Sequence, residues 1–179
     1  MEIKGKNILL MGLPGVGKTT VIEKVVERLK GKGIVSGFYT SEIREAGSRS
    51  GFKIRTIDGK EGVLSHINIR SRARVGRYCV DVRGFEELVL PLLNGNLKAK
   101  KLIVIDEIGK MECLSKLFCE AVTRALDSVI PVLATIALKG GGFIQEVKSR
   151  PDVTIIEVTR ENRNSLPDIL VSHLSSSTF

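Results

Sequence analysis

Short runs of apolar, β-branched residues alternate along the chain with stretches whose apolar positions recur every three or four residues. That alternation predicts a three-layer α/β fold, a mostly parallel sheet with helices on both faces. Ile8–Met11 reads as the first strand and Thr19–Lys30 as the first helix, with apolar positions 21, 22, 25, 26 and 29 at helical spacing. Gly31 and Gly33 are expected to stop that helix. Val35–Arg44 and Gly51–Ile57 then break the pattern as two antiparallel strands joined by a polar turn, Glu45 to Ser50, with a third short strand at Gly62–Ile67. This hairpin insert, about 35–67, is expected to extend the sheet at an edge within a single domain spanning 1–179. A basic loop, Arg70–Arg77, leads into Tyr78–Val82. Gly84–Leu93 reads as a helix followed by a turn at Asn94-Gly95-Asn96. Leu102–Ile105 and Ile130–Ile136 are buried strands by their unbroken apolar character. Leu114–Leu126 and Phe143–Ser149 are helices, and Val153–Val158 is the last strand. Asn162–Leu174 closes the chain as a helix that Pro167 kinks or delays, with frayed serines after it.

Between the first strand and the first helix stands Gly12-Leu13-Pro14-Gly15-Val16-Gly17-Lys18-Thr19, the spacing G-x-x-x-x-G-K-[ST] of a phosphate-binding P-loop. The strand–loop–helix context separates a working loop from a chance match. Its glycines let backbone N–H groups crowd a phosphate, and the helix N-terminus adds partial positive charge. Lys18 is placed to reach the β and γ phosphates, and the Thr19 hydroxyl to ligate Mg²⁺. The implied ligand is a nucleoside triphosphate.

The apolar run Leu102-Ile103-Val104-Ile105 ends in Asp106-Glu107, the Walker B pattern at the strand end where α/β sheets bind ligands. Asp106 is expected in the Mg²⁺ shell opposite Thr19. Glu107 is placed to orient the attacking water, although a kinase also places an acid here. Gly109 permits a tight turn near the phosphates, Lys110 either approaches the γ phosphate or is solvated, and Glu112 is read as a structural contact at a helix start. Phosphoryl chemistry benefits from an arginine, and Arg74, Arg77, Arg160 and Arg163 are the candidates. Thr135 is either a γ-phosphate sensor or a satisfied strand-end hydroxyl. In Thr159-Arg160-Glu161-Asn162-Arg163-Asn164, Asn162 and Arg163 can meet the base, while Thr159 or Asn162 can instead cap the final helix.

Composition narrows the remaining choices. The 179 residues suffice for one core without disulfides. Cys79, Cys113 and Cys119 form an odd, unpatterned set, read as reduced and structural, and with His66 and His173 they suggest no metal cluster. No apolar run is long enough to span a bilayer, and the first strand begins too soon for a signal peptide, so a cytoplasmic, non-membrane protein is expected. The net charge is +8, and the stretch from Ser41 to Arg77 carries nine basic residues against four acidic ones. Without interleaved aromatics, a basic rim around a triphosphate site needs no polynucleotide partner.

Together these segments resemble the small nucleoside-triphosphatase family of thermophilic prokaryotes and vertebrates. The residues that carry the resemblance are the P-loop, Gly37-Phe38-Tyr39-Thr40 with Glu42 and Arg44, Gly51-Phe52, and Arg74-Val75-Gly76-Arg77-Tyr78. Asp106-Glu107-Ile108-Gly109-Lys110-Met111-Glu112 and Glu161-Asn162-Arg163-Asn164 complete them. The resemblance implies the RecA-like branch of P-loop folds, with one strand between the P-loop strand and the Walker B strand. It also implies Mg²⁺-dependent hydrolysis of nucleoside 5′-triphosphates (ATP, GTP, CTP, UTP) to diphosphate and phosphate, with broad base tolerance. The nucleotide-binding set is then Gly12, Leu13, Pro14, Gly15, Val16, Gly17, Lys18, Thr19 and Thr20, together with Leu102, Ile103, Val104, Ile105, Asp106, Glu107, Ile108 and Gly109. A monomer is expected. A nucleotide or nucleoside kinase shares loop, size and fold, with Arg70–Arg77 as its lid. A nucleotide-switched nucleic-acid-binding module is the third reading.

Overall fold

The computed structural model describes residues 3–29, 34–95 and 99–178. Among them run β1 (Asn7–Met11), α1 (Lys18–Leu29), β2 (Ile34–Glu45), β3 (Ser48–Thr56), β4 (Glu61–His66), β5 (Arg74–Val75) and β6 (Tyr78–Val80). Then follow α2 (Val82–Asn94), β7 (Lys100–Ile108), α3 (Lys116–Asp127), β8 (Val132–Ile136), α4 (Phe143–Lys148), β9 (Val153–Glu157) and α5 (Leu166–Thr178). The nine strands form one sheet in the order β5-β6-β4-β3-β2-β7-β8-β1-β9. β8 therefore lies between the P-loop strand β1 and the carboxylate-bearing strand β7.

The unbroken apolar runs arise because these strands are buried on both faces. In β7, Ile103 and Ile105 pack with Phe85 of α2 and Phe118 of α3. Leu102 and Val104 point the other way, to Val21 and Ile22 of α1 and Leu170 of α5. The five apolar positions read on the first helix are its five buried ones. On the α2–α3 face, Phe38, Phe85 and Phe118 meet edge to face, with centroids 5.1–6.2 Å apart.

The 35–67 stretch divides its pairing. The first part of β2 is parallel to β7, from Ile34 opposite Lys100 to Phe38 opposite Ile105, and from Phe38 onward β2 is antiparallel to β3. The hairpin thus grows out of a central strand and projects past the end of β7. Gly37 makes the close approach possible: at φ +142, a Cβ there would stand 1.9 Å from the Val104 carbonyl oxygen.

Several boundaries differ from the sequence reading. The hairpin turn shrinks to Ala46 and Gly47, because both strands continue pairing up to Glu45 and Ser48. The strand expected to reach Val82 stops at Val80, since the Asp81 carboxylate accepts the Gly84 N–H at 3.0 Å and caps α2. α3 starts at Lys116, behind a 3₁₀ turn at Glu112–Leu114, where the Ser115 hydroxyl accepts the Phe118 N–H at 2.9 Å. α5 starts at Leu166 rather than Asn162, with Pro167 in the first turn where its missing N–H costs nothing. The serines expected to fray belong to that helix through Thr178. Gly31, Gly33 and Asn96 lie outside the described residues.

Candidate active site

The P-loop spans the gap between β1 and α1, and Lys18 is the first residue of the helix. Its ammonium donates to the Gly12 carbonyl at 2.9 Å and the Leu13 carbonyl at 3.3 Å, so it hangs over the loop that would cradle a phosphate. Asp106, 1% exposed, is held from three sides. Its Oδ2 accepts the Thr19 hydroxyl at 2.7 Å, its Oδ1 accepts the Thr135 hydroxyl at 2.5 Å, and the Thr40 N–H also bonds to it. The Thr135 hydroxyl is therefore a positioning contact for Asp106. Burial pushes the Asp106 carboxyl up, against those three donors and the nearby Lys18 charge.

Glu107, joined to Asp106 by a cis peptide bond, turns into the cleft. Burial raises its pKa, and the neighbouring Asp106 charge adds to the rise. Gly109 leaves room for two carboxylates: a Cβ there would stand 2.7 Å from Glu112 Oε2 and 3.0 Å from Glu107 Oε1. Glu112, buried beneath this turn, is pushed up to about 8, first by burial and then by the Glu107 charge.

Lys18, Thr19, Thr40, Glu107 and Glu112 share a cleft of about 760 Å³, and Asp106 and Thr135 are buried behind it. The P-loop and Thr20 form one side, Glu107 to Glu112 the floor, and Ala137, Leu138 and Lys139 another edge. Thr40, Ser41, Glu42, Arg49, Phe52 and Val75 build the far wall from the hairpin and β5. Leu102, Ile103, Val104 and Ile105 sit in the two cores, so they support the site from within the sheet. Ile108 is likewise buried in the core.

After β9, Asn162 is engaged locally: its amide donates to the Glu157 carbonyl at 2.8 Å, and its Oδ1 accepts the Thr159 N–H at 2.8 Å. Arg163 donates to the Val16 carbonyl at 3.2 Å and lies against Gly17, bracing the P-loop from outside. Arg160 and Arg74 are exposed. Arg77 lies over the Tyr78 ring and donates to the Arg49 carbonyl at 2.5 Å. Of the arginines, the one lining the cleft is Arg49, read from the sequence only as part of a basic stretch. Thr40 was also missed as a site residue. Both depend on β2 lying beside β7, which no local pattern declares.

The donor set suits a hard cation: the Thr19 hydroxyl and an Asp106 carboxylate oxygen are 2.7 Å apart at the phosphate loop. Among the described residues no group of three or more His, Cys, Asp or Glu could hold a metal. Mg²⁺ needs no such cage, since one or two protein oxygens suffice when phosphates and water complete the shell. The three cysteines are free thiols, and burial pushes those of Cys113 and Cys119 up. No helix among the described residues is long and apolar enough to cross a membrane.

With β8 set between the P-loop strand and the strand bearing Asp106, the fold belongs to the RecA-like class of P-loop nucleotide-binding proteins. The chain is similar to the protein named nucleoside-triphosphatase THEP1 of Thermotoga sp. (strain RQ2), 47% identical over 93% of this chain and 94% of that one. It is also 42% identical to the cancer-related nucleoside-triphosphatase of Homo sapiens, over 96% of this chain and 98% of the relative. The crystal structure of THEP1 from the hyperthermophile Aquifex aeolicus superposes with a TM-score of 0.85 at 38% identity, covering 94% of this chain and 98% of that one. The family described as NTPase matches residues 7–171, and the chain belongs to that family.

Proposed function

We propose that this member of the NTPase family hydrolyses the terminal phosphoanhydride of nucleoside 5′-triphosphates. The observation that carries the proposal is a single cleft lined by the P-loop, Lys18, Thr19 and Glu107, with Asp106, from the next strand but one, buried behind it and bonded to the Thr19 hydroxyl. The loop amides and Lys18 hold the β and γ phosphates. Thr19 and Asp106 are the residues that would hold Mg²⁺, which supplies charge neutralisation across those phosphates when bound. Thr135 and the Thr40 amide keep the Asp106 carboxylate in place for it.

Glu107 accepts a hydrogen bond from a water molecule and aligns it with the γ phosphorus. The water oxygen bonds to phosphorus, the bond from phosphorus to the β–γ bridging oxygen breaks, and the diphosphate leaves with that oxygen. The proton lost by the water passes to the Glu107 carboxylate. Because Asn162 and Arg163 are engaged with backbone carbonyls, they support loose contacts to the base and hence turnover of ATP, GTP, CTP and UTP alike.

A second reading is favoured by one feature: the cleft continues beyond the P-loop to Phe52 and Val75, room that an acceptor molecule could fill in a kinase. Phosphate release measured over a panel of triphosphates separates the two, with and without Mg²⁺ and with nucleosides or nucleoside monophosphates added. Hydrolysis gives Mg²⁺-dependent phosphate whether or not an acceptor is present. Stoichiometric transfer to an added acceptor would establish the kinase instead.

A further inference from the structure

Arg49 opens the cleft-facing side of β3, opposite Arg44 of β2. Its Nε donates to the Tyr78 hydroxyl at 2.9 Å, and its Nη1 donates to Glu42 Oε1 at 2.9 Å. The guanidinium lies 5.1 Å from the centroid of Phe52 and 5.6 Å from that of Tyr78. Tyr78 is itself fixed, since Arg77 donates to its hydroxyl at 3.2 Å and Phe52 packs edge to face on its ring at 5.6 Å. Two of the three guanidinium nitrogens are thus committed to holding the group still. Nη2 has no partner among the described residues, and the side chain borders the space shared by Lys18 and Glu107.

A fixed arginine that lines a phosphate cleft and keeps one nitrogen unpaired among the described residues is suited to stabilise charge that grows only in the transition state. The hairpin brings it to the same cleft as the P-loop. Thr40, whose N–H bonds to Asp106, marks the phosphate end of β2, and the guanidinium is drawn back to Glu42, two residues or about 7 Å further along the strand. Arg44, bonded to Glu42 and the Gly47 carbonyl, does not line the cleft, and neither does Arg163, which is tied to the Val16 carbonyl. Neither competes for the role. The geometry points to Arg49 as the catalytic arginine, supplied by this same chain, with Nη2 donating to the γ-phosphoryl oxygens in the transition state and with Glu42 and Tyr78 as its positioning residues. This rests on the hydrolytic reading above, and it makes the site complete within one chain.

The test compares wild type with Arg49→Ala, Arg49→Lys, Tyr78→Phe and Glu42→Gln in phosphate release, in binding of a nonhydrolysable triphosphate analogue, and in binding of nucleoside diphosphate with aluminium fluoride. Arg49→Ala is expected to lower kcat about 10²–10³-fold, as loss of one transition-state donor does. KM and analogue affinity are expected to stay within about threefold, while affinity for the fluoride complex falls in parallel with kcat. Arg49→Lys is not expected to restore kcat, because an ammonium cannot hold Glu42 and Tyr78 while also reaching a phosphate. Tyr78→Phe and Glu42→Gln are expected to lower kcat about tenfold with ground-state binding unchanged. Analogue binding also reports that each variant is folded, and Arg49→Lys carries the test if the alanine variant is not. An Arg49→Ala enzyme within about threefold of wild-type kcat overturns the assignment, as does equal weakening of the analogue and the fluoride complex. A wild type that releases no phosphate brings down the hydrolytic reading and this inference together.

Discussion

In the proposed mechanism Lys18 binds and Glu107 takes part in the chemistry, and their variants would separate the two. Lys18→Ala removes the ammonium over the P-loop, so triphosphate affinity and hydrolysis should both fall, while Glu107→Gln should keep affinity and lose most turnover. Equilibrium binding of a fluorescent triphosphate analogue, set beside phosphate release, reads the split; Glu107→Gln retaining turnover would move the water-orienting task elsewhere. Glu112 gives a pH signature. Its folded pKa of about 8 lies above the ordinary 4.5, so the folded chain binds the extra proton. Stability from this group is therefore present at low pH and lost as pH rises from about 4.5 through 8, by an amount of the order of a few kcal/mol. Glu112→Gln should flatten the Tm-against-pH curve in that window, and parallel curves for the two proteins would contradict the burial argument. At this scale the P-loop and the Asp106-Glu107 pair were legible because each is contiguous in the chain. Arg49 and Thr40 were not, because their roles come from strands that meet only after folding.

Among the elements, β2 has the most demanding task, since it pairs parallel to β7 at one end and antiparallel to β3 at the other. Its apolar and polar pattern announced a hairpin strand but not the parallel half, which depends on Gly37 letting the two backbones approach. Gly37→Ala would drive a methyl into the Val104 carbonyl and separate β2 from β7. A loss of about 3 kcal/mol or more is expected, read as a lower urea midpoint. A midpoint unchanged from wild type would mean that this pairing is looser than described. The central strands β1, β7 and β8 were legible as whole elements, because burial on both faces leaves an uninterrupted apolar run. Helix starts were less so. Asp81 and Ser115 act as caps through side-chain bonds that select one register among several that the periodicity allows.

For the molecule as a whole, the charge distribution bears on the choice of partner. The excess of basic residues suggested nucleic acid, yet several of those on the hairpin are paired. Arg44 and Arg49 meet Glu42, Lys53 meets Glu61, Arg55 meets Glu23, and Lys60 meets Asp58. That pairing leaves fewer unpaired cations on the hairpin than its composition implies, and the proposed reading takes a triphosphate rather than a polynucleotide as partner. Mobility-shift titrations at near-physiological salt should show no shift with single- or double-stranded nucleic acid. A salt-sensitive shift abolished by charge reversal at Arg70, Arg72 and Arg74 would favour the nucleotide-switched binding module. The mostly parallel sheet and the two helical layers could be inferred from the alternation of elements, and the strand between those of the P-loop and Walker B from the family resemblance, whereas the reach of the hairpin over the cleft could not. That reach is why the far wall of the site was the part least visible in the sequence. The central claim is that water, aligned by Glu107, attacks the γ phosphorus of a triphosphate held by the P-loop. Turnover in ¹⁸O-labelled water with Mg²⁺ tests it most directly: the released phosphate should carry the label from the first turnover and the nucleoside diphosphate none. Label in the diphosphate, or no labelled phosphate with the γ phosphoryl group recovered on an added acceptor, would contradict it.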